Sequence, residues 1–132
     1  MRFSLPSFIL LTLALTFKAF ACVQFQGVVA VGNGQQFIQA SLVDNGGEQC
    51  WTSSFVSATA SFIFLTCNPG YLGTFQWDIL GTSDLEVWYN TPWESGGSFG
   101  LNYVGSADGT VYDNGVEYEA FFATYTADVW GC

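Results

Sequence analysis

Val23-Gln24-Phe25-Gln26-Gly27-Val28-Val29-Ala30-Val31 alternates: Val23, Phe25, Val29 and Val31 share one face with Gly27, opposite Gln24, Gln26 and Ala30. Successive side chains of a strand point to opposite faces, so this period reads as a strand with one side on a core. The same signature recurs along the chain, in runs rich in Val, Ile, Phe, Tyr, Trp and Thr. Strands are expected near 36–43, 57–67, 73–80, 85–90, 99–104 and 116–129, the last broken by a bulge. Residues that tolerate positive φ separate them: Asp44-Asn45-Gly46-Gly47, Asn68-Pro69-Gly70, Gly81-Thr82-Ser83-Asp84, Glu94-Ser95-Gly96-Gly97, Asp108-Gly109 and Asp113-Asn114-Gly115. About seven strands at this spacing, with no helical pattern between them, predict an all-β fold: an antiparallel β-sandwich or a closed barrel.

Charge narrows the chemistry. The 132 residues hold 2 Lys+Arg, 11 Asp+Glu and no His, a formal net charge of −9. Without His there is no Ser-His-Asp or Cys-His arrangement and no HExxH zinc site. Both basic residues, Arg2 and Lys18, precede position 22. Residues 1–21 read as a signal peptide: a positive start, an apolar run from Phe8 to Phe17, and Ala19 and Ala21 at the positions a signal peptidase requires. The run is too short for a bilayer-spanning anchor. A lipidated Cys22 would call for Leu where Ala19 stands. Residues 22–132 then form a single secreted domain with no Lys, Arg or His.

Such a domain has no side chain to pair with a phosphate, which excludes nucleic acid and attraction to anionic membranes. Net negative charge instead keeps an apolar-rich exported chain dispersed. Cys22, Cys50, Cys67 and Cys132 read as two disulfides, with Cys22–Cys132 and Cys50–Cys67 the preferred pairing of the three available. No Asn-x-Ser/Thr acceptor occurs. Oligomeric state is not encoded in any feature of the sequence.

The candidate binding residues are Trp88, Trp93, Glu86, Asn90 and Glu94. In 85–90 the apolar Leu85, Val87 and Tyr89 face one way, and Glu86, Trp88 and Asn90 the other. The chain then continues into Thr91-Pro92-Trp93-Glu94. Exposed aromatic faces stack on the C–H face of a sugar while carboxylate and amide oxygens accept its hydroxyl protons, so this set predicts glycan or cell-surface recognition. The competing expectation is structural: a bulge after Tyr89 would turn Trp88 inward, and Trp93 would cover the open end of a sandwich. Trp51, beside Cys50, is expected to pack on a disulfide, and Trp130 to pin the C-terminal segment.

Two other chemistries are weighed. Calcium takes oxygen ligands, which Asp44 with Glu48, or Asp108, Asp113, Glu117 and Glu119, could supply; neither group fits a calcium-loop pattern, so no cofactor is expected. Catalysis would have to use carboxylates, which leaves a small glycosidase built on Asp84, Glu86 and Glu94. The preferred reading is a non-enzymatic binder. The alternative classes are an effector-like interaction protein without a ligand pocket, and that glycosidase.

Cys50-Trp51, Thr66-Cys67-Asn68-Pro69-Gly70-Tyr71, a leader and abundant aromatic residues give the chain a character that resembles the small secreted cysteine-containing proteins of filamentous fungi. The resemblance implies an extracellular, non-enzymatic protein acting on surfaces or hosts, and carries over no site residue. Hydrophobins are unlike it: they use eight cysteines with adjacent pairs, and here there are four, none adjacent.

Overall fold

The structure is a computed structural model that describes residues 22–78, 85–93 and 96–130. The leader expected at 1–21 and the turn expected at 81–84 lie outside the described residues.

Ten strands are formed among the described residues: β1 (Val23–Gly32), β2 (Gln35–Asp44), β3 (Gly47–Ser57), β4 (Phe62–Phe64), β5 (Thr66–Cys67), β6 (Leu72–Gln76), β7 (Glu86–Asn90), β8 (Gly97–Gly100), β9 (Asn102–Asp113) and β10 (Val116–Val129). They form a six-stranded sheet ordered β5-β3-β2-β1-β10-β9 and a four-stranded sheet ordered β4-β6-β7-β8. Every pairing is antiparallel. The fold is therefore a two-sheet sandwich. The closed-barrel alternative is overturned, because each sheet ends in a free edge strand.

Local chemistry explains the large sheet. Asn33-Gly34, Asn45-Gly46 and Asn114-Gly115 all have positive φ, from 50° to 84°, and each joins two long strands by two residues. This is the type I′ hairpin, whose twist matches that of the strands it connects. The first strand pairs with the last, from Val23 opposite Val129 to Val31 opposite Phe121, so the two ends of the described chain lie side by side. In its pairing with β9, β10 shifts register between Thr124 and Tyr125.

Three expectations are corrected. Residues 57–67 are not one strand: β3 ends at Ser57, the chain crosses to the small sheet for β4, and returns for β5. A buried Gln36 holds that crossover, its Nε2 donating to the carbonyls of Ser57, Ala58 and Ala60 at 2.9–3.0 Å. Residues 99–104 likewise divide between sheets at Leu101, whose N–H donates to Leu85 O. Asp108-Gly109 is not a turn but mid-strand in β9, where Gly109 leaves room for Phe122; a Cβ there would lie 2.7 Å from the ring. Of the two expected disulfides, Cys50–Cys67 is formed among the described residues. The expected Cys22–Cys132 bridge ends on Cys132, outside the described residues.

The core lies between the sheets. Val23, Phe25, Val29, Ile38, Leu42 and Tyr125 of the large sheet meet Phe75, Val87, Tyr89 and Phe99 of the small one, together with Trp77 just beyond β6. Phe75 is central, with ring centroids 5.0 Å from Phe25, 5.2 Å from Trp77 and 6.2 Å from Tyr125. Gly27 permits this: a Cβ there would stand 2.9 Å from the rings of both Phe25 and Phe75.

Candidate functional site

Strand β7 positions the first half of the site. Val87 and Tyr89 are buried between the sheets, so Glu86, Trp88 and Asn90 point to the outer face of the small sheet. Trp88 is 51% exposed. Its indole N–H donates to Glu86 Oε1 at 2.7 Å, a contact between neighbours on one face. That bond holds the ring by its edge.

The strands alongside extend the surface. Thr74 of β6 and Ser98 of β8 stand opposite Trp88, and Phe64 of β4 stands opposite Thr74. Phe64 and Trp88 are thus two strand spacings apart, about 10 Å. Phe62 joins Phe64 edge to face at 5.9 Å, and both rings are exposed, as is Leu72. The outer face of the small sheet therefore carries exposed apolar rings around neutral hydroxyls and one carboxylate. Sequence reasoning missed Phe62 and Phe64 because residues 57–67 were read as a single strand with no face assigned. Their i, i+2 spacing was the available signal.

Trp93 belongs to a different place. It is exposed and meets Tyr71 edge to face at 6.0 Å, while Tyr71 stacks on Tyr89 at 6.1 Å. Pro92 rests on Gly70, where a Cβ would lie 2.6 Å from Pro92 Cγ, so the segment after β7 is held against the 68–71 turn. Asn90 is half-buried, with its Oδ1 filling the space over Gly96. Of the five expected residues, Trp88 and Glu86 are brought together, Asn90 is turned toward the neighbouring segment, Trp93 stands at the end of the sandwich, and Glu94 lies outside the described residues.

Behind this surface Tyr89 O–H donates to Asp44 Oδ2 at 2.8 Å. Burial, reinforced by that carboxylate, pushes the Tyr89 phenol far above its ordinary range. Burial also raises the Tyr125 phenol, whose O–H donates to Asp78 O.

The remaining expected residues fall as follows. Trp51 does not pack on the disulfide side: Cys50 is in the core, so its neighbour Trp51 emerges on the opposite, outer face of the large sheet, 38% exposed. Trp130 meets Phe99 edge to face at 5.5 Å. Asp44 bonds Tyr89 on the inner side while Glu48 accepts from Ser41 Oγ on the outer side, which separates that carboxylate pair. Among the described residues no group of three or more metal-ligating side chains is assembled. Asp84 and Glu94, two of the three carboxylates weighed for hydrolysis, lie outside the described residues.

Fold and site together define an antiparallel β-sandwich with an exposed aromatic face. Comparison with protein-family models, curated proteins and solved structures finds no match.

Proposed function

We propose that the chain is a secreted, non-enzymatic binding protein that recognises a glycan or another cell-surface component through the outer face of its small sheet. The observation that carries this is Trp88: half-exposed, edge-anchored to Glu86, and flanked by Thr74 and Ser98, which offer neutral donors and acceptors. A carbohydrate presents the complementary pattern of C–H faces and hydroxyls. No cofactor takes part, and nucleic acid and anionic membranes are not partners, because residues 22–132 contain no Lys, Arg or His. Glu86 serves as an anchor for the indole, not as a general acid.

Secretion is part of the same reading, supported by the leader-like residues 1–21 and by the Cys50–Cys67 disulfide, a bond of oxidising compartments. So is a second bridge, Cys22–Cys132, favoured by the adjacency of Val23 and Val129. The likeness to the small secreted proteins of filamentous fungi fits an extracellular role on surfaces or hosts.

A second reading has its own support. Phe62, Phe64 and Leu72 are exposed on the same face as Trp88, and an apolar patch of this kind also suits docking to another protein. A glycan array probed with the oxidised secreted protein separates the two. Binding to defined glycans that is lost in Trp88→Ala supports the first reading; an array without signal supports the second.

A further inference from the structure

The opposite side of the sandwich carries a second arrangement that does not involve Trp88. A groove of 390 Å³ runs over the outer face of the large sheet, lined by Gln26, Val28, Gln39, Ser41, Trp51 and Ser53, with Glu48 beside them. A second depression of 360 Å³ shares Gln26 and Ser41 with it and continues to Thr126 and Asp128. The register makes this one trough. Trp51 of β3 stands opposite Ser41 of β2, Ser41 opposite Gln26 of β1, and Gln26 opposite Thr126 of β10. The row crosses three strand spacings, about 14 Å.

Its chemistry is selective. The chain has 11 carboxylates, yet the middle of its largest sheet has none: the side chains there are amides and hydroxyls, which both donate and accept without charge, interspersed with the apolar Val28 and Val43. The two carboxylates are at the rims, and Glu48 is already engaged by Ser41 Oγ at 2.6 Å. β1 and β2 are paired on both sides, so the trough offers no free backbone to an added peptide strand. It offers one aromatic surface at one end and a line of neutral hydrogen-bonding groups along its length.

We infer that this trough is a binding site for an extended neutral oligosaccharide, which stacks on Trp51 and hydrogen-bonds along Ser41, Gln26, Gln39 and Thr126. A uronate-type polymer would meet repulsion from Glu48 and Asp128 and is excluded. The site stands or falls separately from the Trp88 face.

The test titrates isotope-labelled oxidised protein with cello-, xylo-, laminari- and chitohexaose, with hexagalacturonate as the anionic comparison, and follows the Trp51 indole and the Gln26 and Gln39 side-chain amide resonances by NMR. At least one neutral hexasaccharide should shift all three resonances at millimolar concentration. Trp51→Ala should weaken its Kd about tenfold or more, the scale of removing one stacked aromatic surface. Gln26→Ala, a change at an exposed position, should weaken it in a protein with an unaltered amide spectrum elsewhere, and Trp88→Ala should leave it unchanged. The inference is overturned if no neutral hexasaccharide moves these resonances, if shifts appear only around Trp88, or if hexagalacturonate binds as well as the neutral chains.

Discussion

Gln36 and Trp77 join the two sheets through a buried hydrogen bond, Trp77 Nε1–H donating to Gln36 Oε1 at 2.9 Å. Gln36 is 1% exposed, and its amide nitrogen simultaneously holds the three carbonyls where the chain leaves β3 for β4. A fully satisfied buried polar group of this kind specifies one path for the backbone.

Replacing it should therefore be costly. Gln36→Leu has nearly the same volume but removes the partner of the Trp77 indole N–H and of the Ala58 and Ala60 carbonyls, while Ser57 O keeps the Ala60 N–H. A loss of about 2–4 kcal/mol is expected in urea unfolding. Trp77→Phe, which removes only one donor, should cost less.

Close packing at Gly27 gives a second test. Adding a Cβ 2.9 Å from the rings of Phe25 and Phe75 forces the centre of the core apart. Gly27→Ala should destabilise by about 1–3 kcal/mol despite the better strand propensity of the new residue, and Gly27→Val by more. A neutral or stabilising result in thermal melts would contradict the packing described.

Alkaline pH should unfold the protein. Tyr89 and Tyr125 have folded-state pKa values raised above the ordinary value of 10.0, so both stay neutral in the fold while an unfolded tyrosine ionises near pH 10. The stability they contribute is fully present below about pH 10 and is lost as pH rises above it. Absorbance titration should show Tyr89 and Tyr125 ionising only together with unfolding. Tyr89→Phe, which leaves Asp44 without its hydrogen bond, should cost about 1–3 kcal/mol at neutral pH.

Reducing Cys50–Cys67, which closes a sequence separation of 17, should cost about 3 kcal/mol. The melting temperature of oxidised Cys50→Ala/Cys67→Ala against oxidised wild type checks this, and reductant, which also opens the proposed Cys22–Cys132 bridge, should lower stability further.

The alternation of Val23, Phe25, Val29 and Val31 against Gln24 and Gln26 made β1 legible, and Asn45-Gly46 and Asn114-Gly115 made two turns legible, though not the strands β3 and β9 that they join to β2 and β10, because both signals are local. β3 was not legible. Its aromatics, Trp51 and Phe55, face outward while Thr52 and Ser54 point toward the core side, so the pattern runs against simple burial. The division of residues 57–67 between two sheets depends on Gln36, some twenty residues earlier in the chain, and Asp108-Gly109 imitates a turn when its glycine only makes room for Phe122. At the site, the flanking residues of β7 were enough to turn Trp88 outward. That Trp93 stands apart from it, and that Phe64 stands beside it, follow from strand order, which no local pattern encodes.

The most direct test of the binding face compares wild type with Trp88→Ala and Glu86→Gln on the glycans that an array identifies. Trp88 is exposed and outside the core, so unfolding free energy should change by less than about 1 kcal/mol. Loss of glycan binding in Trp88→Ala, with partial loss in Glu86→Gln and an unaltered circular dichroism spectrum, is the predicted result. Undiminished binding by folded Trp88→Ala would contradict the account.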